Sequence, residues 1–103
     1  MANKLDKFVV YGIRETYHEL GTYEFKIVLS PKYFKSGHLS EVTFIDSDGK
    51  EIVSDVKKWG RKINCSFTIN KNTSDGVAVV NMLLIDERER KTPGRLTFWV
   101  IKP

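Results

Sequence analysis

The densest chemistry in this sequence is Lys57-Lys58-Trp59-Gly60-Arg61-Lys62, four cations around one tryptophan. Ammonium and guanidinium groups attract phosphates, and an indole stacks on an unpaired base. The run therefore has the residue types of a nucleic-acid site. The same residues also have a structural reading. Lys57 and Lys58 then guard an edge strand against sheet-to-sheet pairing, and Trp59 folds back over one end of the core. Candidates for catalysis are sparse. His18 and His38 lie in polar segments expected to be loops, and neither has a Ser, Cys or carboxylate partner at a motif spacing. Cys65, the only cysteine, falls on the apolar side of an alternating segment, where burial disfavours the reactive thiolate. Asp46, Asp48 and Glu51 place three carboxylates near one another. Calcium needs about six to eight oxygens, and these acids sit in a short turn, so the turn is the preferred reading. No glycine-rich loop joins a strand to a helix. No enzyme activity, metal or cofactor is expected.

The elements that would position these residues are strands. In Lys62-Ile63-Asn64-Cys65-Ser66-Phe67-Thr68-Ile69 every second residue is apolar. Alternate side chains leave opposite faces of a strand, so Ile63, Cys65, Phe67 and Ile69 should be buried together. Tyr23, Phe25, Ile27 and Leu29 repeat the pattern, as do Leu96, Phe98 and Val100. Phe8 to Ile13 and Val77 to Ile85 are apolar on both faces, with Asn81 the single break in the latter. Such strands are central in a sheet or are covered by a neighbouring subunit. Val42 to Ile45 and Ile52 to Val56 complete seven candidates. Asp46-Ser47-Asp48-Gly49-Lys50 reads as a hairpin turn between the last two, and Thr92-Pro93-Gly94 as another turn. The run Asp86 to Lys91 mixes signs and reads as a solvated tip. Ser30-Pro31 can cap a single helical turn. Seven short strands without a sustained helical period predict an all-β sandwich or small barrel.

Size agrees with one domain. The chain has 103 residues, 41% hydrophobic and 29% charged. A domain of this length buries about 65% of its unfolded surface and can hold a core without staples. One cysteine excludes an internal disulfide and a multi-cysteine metal site. The first residues lack the apolar stretch of a signal peptide, and no apolar run reaches bilayer length. The expectation is a cytoplasmic or virion protein with no membrane partner. The net charge of +4 permits an acidic partner without demanding one.

The second half resembles bacterial and bacteriophage immunoglobulin-like domains. The stretch Cys65-Ser66-Phe67-Thr68-Ile69, a polar loop, and Asp75-Gly76-Val77-Ala78-Val79-Val80 is similar to their E strand, E–F turn and F strand. Arg95-Leu96-Thr97-Phe98-Trp99-Val100 then stands where a G strand would. The chain departs from antibody domains in having no cysteine pair, no matching tryptophan and no tyrosine corner. The resemblance implies an immunoglobulin-like antiparallel β-sandwich of about seven strands. It also implies a non-enzymatic structural or protein-binding role in a bacteriophage virion, as a capsid decoration or tail-associated protein. The partner would be a protein lattice, or further copies in a homo-oligomer, reached through edge strands and exposed aromatics. Tyr33, Phe34 and Trp99 are the interface candidates. The alternative is a small β-barrel that binds nucleic acid through Lys57, Lys58, Trp59, Arg61 and Lys62.

Overall fold

The computed structural model describes residues 7–32, 34, 38–85 and 88–103, with only the backbone for 38–40. Two four-stranded sheets pack face to face. One has the order β1 (Phe8–Tyr11), β3 (Gly21–Leu29), β6 (Lys62–Ile69), β5 (Ser54–Trp59). The other has the order β2 (Thr16–Tyr17), β8 (Lys91–Val100), β7 (Gly76–Ile85), β4 (His38–Ile45). All pairs are antiparallel except β2 with β8. This is the strand order of an immunoglobulin-like β-sandwich, with β6, β7 and β8 in the E, F and G places.

Period two decides what is buried. Ile63, Cys65, Phe67 and Ile69 of β6 all face inward, opposite Ile27, Phe25, Tyr23 and Gly21 of β3. Ala78, Val80, Met82 and Leu84 of β7 supply the facing layer, with Phe44, Phe98 and Val100 beside them. β7 does lie centrally in its sheet: its inner residues are buried and its outer ones half-buried. β1 differs from the expectation for a two-sided apolar strand. It lies at a sheet edge, where Val9 and Tyr11 are half-exposed.

Four connections also differ from the sequence reading. β2 has only two residues, too few to show a period, and pairs in parallel with Trp99 and Val100. The Asp46–Lys50 turn closes the expected hairpin for one step only. Ile45 bridges Glu51, and the Ile52 amide donates to the Phe44 carbonyl at 2.8 Å. The chain then crosses to the other sheet, so β5 begins at Ser54 and not at Ile52. Thr92-Pro93-Gly94 is no turn but part of β8, opposite Leu84, Leu83 and Met82. Among the described residues this stretch of β8 pairs with β7 alone, and such an edge position tolerates proline. Gly94 is small for a packing reason: a Cβ there would lie 3.2 Å from Met82 Cε and 3.3 Å from the Phe8 ring. His38 opens β4 and is not in a loop.

At one end of the sandwich the 46–50 turn is tied to the 70–75 turn. Asp46 is buried among polar backbone. Its Oδ1 accepts from the Asp48 and Lys50 amides at 2.9 and 3.0 Å, and its Oδ2 from the Ser74 amide at 3.1 Å. Burial alone would raise the Asp46 pKa. The amides of Ser74, Lys50 and Asp48, helped by the Lys50 charge, outweigh it and hold the carboxyl below its ordinary value. Lys50 Nζ also donates to the Asn72 carbonyl at 2.7 Å. From the C-terminus, Lys102 donates to the Thr73 carbonyl and pairs with Asp75 at 2.8 Å.

A depressed carboxylate pKa stabilises the fold above the unfolded-state value and is lost as pH falls through the folded one. Urea unfolding should therefore show wild-type stability declining below about pH 4, the ordinary carboxylate range. Asp46→Asn, which turns a donor toward the Ser74 amide, should lose about 1–3 kcal/mol at neutral pH. It should also flatten that part of the acid slope. An unchanged slope would show that Asp46 does not carry it.

Candidate functional site

The basic run folds as the β5–β6 hairpin. Trp59 pairs with Lys62 across the two-residue turn Gly60-Arg61. Gly60 opens it at φ 61°, the left-handed start that a type II′ hairpin requires. Register then divides the run. Lys58 stands opposite Ile63, in the inward row, while Lys57 and Trp59 stand opposite Asn64 and Lys62 in the outward row. β5 is an edge strand, so Lys58 is an inward-pointing edge charge of the kind that discourages pairing with another sheet. Trp59 does not fold over the core. It is 80% exposed, on the outer face of the sheet.

The sheet brings to that face residues that lie far away in sequence. One row across it reads Val9, Val28, Lys62, Trp59. The next reads Tyr11, Lys26, Asn64, Lys57. Tyr11 is 53% exposed, and the Lys26 ammonium lies 5.9 Å from its ring centroid, a cation–π contact. The third row holds the acids: Glu24 and Asp55 flank Ser66. A shallow depression of about 590 Å³ runs over the second and third rows. Its cationic side is lined by Tyr11, Lys26 and Lys57, its acidic side by Glu24 and Asp55. Neither Tyr11 nor Lys26 was singled out for this site from the sequence. Only strand pairing reveals them.

The other sheet carries a different outer face. β7 presents Val77, Val79, Leu83 and Ile85 there, all half-buried, interrupted by exposed Asn81. Ile45 lies beside Val79, and Trp99, 50% exposed, beside Val77. Of the expected interface residues, Trp99 is thus at the surface and Phe34 is not. Phe34 is 1% exposed and belongs to the core. The Phe34 amide donates to the Ser30 carbonyl, closing the single turn read from Ser30-Pro31, and this turn carries the ring inward. Tyr33 lies outside the described residues.

The catalytic candidates are scattered. His18 is exposed, and its Nδ1 donates to the Ile101 carbonyl at 3.0 Å, a tie to the C-terminal segment. Cys65 is buried in β6, and burial pushes its thiol up to about 12. Among the described residues, no three of His, Cys, Asp and Glu gather as a metal site. The Asp46 carboxylate oxygens are taken by amides, and Asp48 accepts from the Ser74 hydroxyl.

No family model and no curated protein matches the chain. Among solved structures it is similar to CopC from Methylosinus trichosporium OB3b. The identity is 15% and the TM-score 0.54, over 86% of this chain and 84% of that one. At that identity the likeness speaks for the β-sandwich alone.

With its thiol pushed up to about 12, Cys65 should be inert to a disulfide reagent in native protein at neutral pH. It should react stoichiometrically once the protein is unfolded in guanidinium. Rapid native labelling would show that β6 opens or that the thiol is accessible.

Proposed function

We propose that this protein is a non-enzymatic structural module that works by binding protein. Its contact is the outer face of the β2–β8–β7–β4 sheet. The observation that carries the reading is the apolar stripe of β7. Val77, Val79, Leu83 and Ile85 face away from the core in the middle of a sheet, with Ile45 and Trp99 alongside. Apolar groups gathered on an outer face gain from being covered, at about 25 cal/mol for each Å² removed from water. Trp99 adds the kind of half-exposed aromatic that anchors interfaces. The partner we assign is a repeated protein lattice, as in the virion decoration and tail modules that the second half of the chain resembles. The contact is then made again from copy to copy, and a second copy of this chain is its first occupant.

Sedimentation equilibrium tests the face. The protein should associate reversibly as its concentration rises. Val79→Lys, which puts a charge in the middle of the stripe, should weaken association at least about tenfold, or about 1.4 kcal/mol. Trp99→Ala should do about the same. Lys57→Glu, on the opposite sheet, should change nothing. A protein that stays monomeric up to millimolar concentration, or that associates regardless of Val79→Lys, removes this face as the contact.

A further inference from the structure

The outer face of the β1–β3–β6–β5 sheet is a second site of different chemistry. We infer that it binds single-stranded nucleic acid, with Trp59 and Tyr11 stacking on bases and Lys26, Lys57 and Lys62 holding phosphates. Three observations meet there. Trp59 is 80% exposed, although an indole is costly to leave in water without use. Tyr11 stands at the opposite edge of the same face, 53% exposed, with Lys26 over its ring. Within the two rows that contain these rings, every charged side chain is a lysine.

Strand spacing puts the two rings roughly 16 Å apart, three interstrand steps across and two residues along. That separation is too wide for neighbouring bases. One extended strand crossing the sheet from Trp59 to Tyr11 would leave Trp59 with Lys62 and Lys57 on either side and then pass over Asn64 and Lys26. Glu24 and Asp55 in the next row would repel the backbone and confine its path to the hairpin end. A polyanion is favoured over an acidic protein surface because the cations lie between two exposed flat rings. Base stacking uses those rings whatever the sequence. Duplex DNA hides its base faces and could use only the lysines.

The test is fluorescence anisotropy with labelled oligo-dT and oligo-rU, titrated with the intact protein at several salt concentrations. Saturable binding should weaken with salt, with a log–log slope of about −2, or about −0.7 for each of the three lysines. Lys57→Ala and Lys62→Ala should each reduce the slope by about 0.7. Trp59→Ala should weaken binding about fivefold or more without changing the slope. Lys91→Ala, on the other sheet, is the control and should bind like wild type. Which oligomer binds tighter tells the natural strand. Absence of binding at low salt overturns the inference. So does binding that is indifferent to Trp59→Ala, or that is matched by heparin or by a duplex of equal length. Those results mean simple charge attraction. Circular dichroism of each variant confirms the fold, which substitution of exposed side chains should leave intact.

Discussion

Phe67 holds the two sheets together. Its ring lies 4.8 Å from Phe98 of β8 and 5.6 Å from Phe44 of β4, both stacked on it across the gap. Within its own sheet it meets Tyr23 at 5.8 Å and Phe25 at 6.1 Å. Tyr17 of β2 meets it edge-on at 5.2 Å and also meets Phe98. Aromatic pairs at these separations add about 0.5–1.5 kcal/mol each beyond the area they bury. Rings thus join the sheets in a chain that has no cysteine pair to do so. The cluster also accounts for β2. Two residues of parallel pairing are a weak element, but Tyr17 inserts its ring into the cluster and receives the Arg14 amide on its hydroxyl at 3.0 Å. Packing holds the segment where pairing alone would not.

A core built from one inward layer per sheet leaves each outer face free of duties to the fold. A change at Val79 or Lys57 touches no ring of the central cluster. The two faces can then diverge in chemistry, and they do. One is an apolar stripe along a central strand. The other is two rings separated by lysines. The end of the sandwich is fixed by other means, through Asp46 and its three amides. That end joins the 46–50 and 70–75 turns by polar bonds.

What could be read from the sequence follows from how local its physical cause is. The alternation in 62–69 is a property of eight consecutive residues, and β6 spans those eight. The alternating runs of β3 and β8 and the two-sided strand β7 were readable for the same reason. β5 was readable only in part, as a strand over Ile52 to Val56, because an edge strand buries little. Its Ser-Asp-Val-Lys-Lys-Trp has one half-buried residue and shows no period. Pro93-Gly94 imitated a turn, since local chemistry cannot reveal that, among the described residues, β8 pairs with β7 alone there. Phe34, between lysines and a proline in the sequence, looked exposed. Only the tertiary fold shows that its turn points inward. The site divides likewise. Trp59 and its lysines are contiguous and were legible, but Tyr11 and Lys26 reach the same face through the pairings of β1 and β3.

The edges bear on how such a protein can bind at all. An open strand edge invites another strand, and each edge here is blunted in its own way. β1 has four residues and β2 two. β5 carries Lys57 and Lys58, with Lys58 in the inward row. β4 is interrupted by a bulge between Leu39 and Glu41, and the open stretch of β8 contains Pro93. Among the described residues, partner strands added by backbone hydrogen bonds would meet edges that are short, charged or interrupted over part of their length. The two contacts proposed above therefore use side chains on the broad faces. In both proposals affinity rests on rings, branched apolar groups and lysines, and specificity on the rows into which the strand register sorts them.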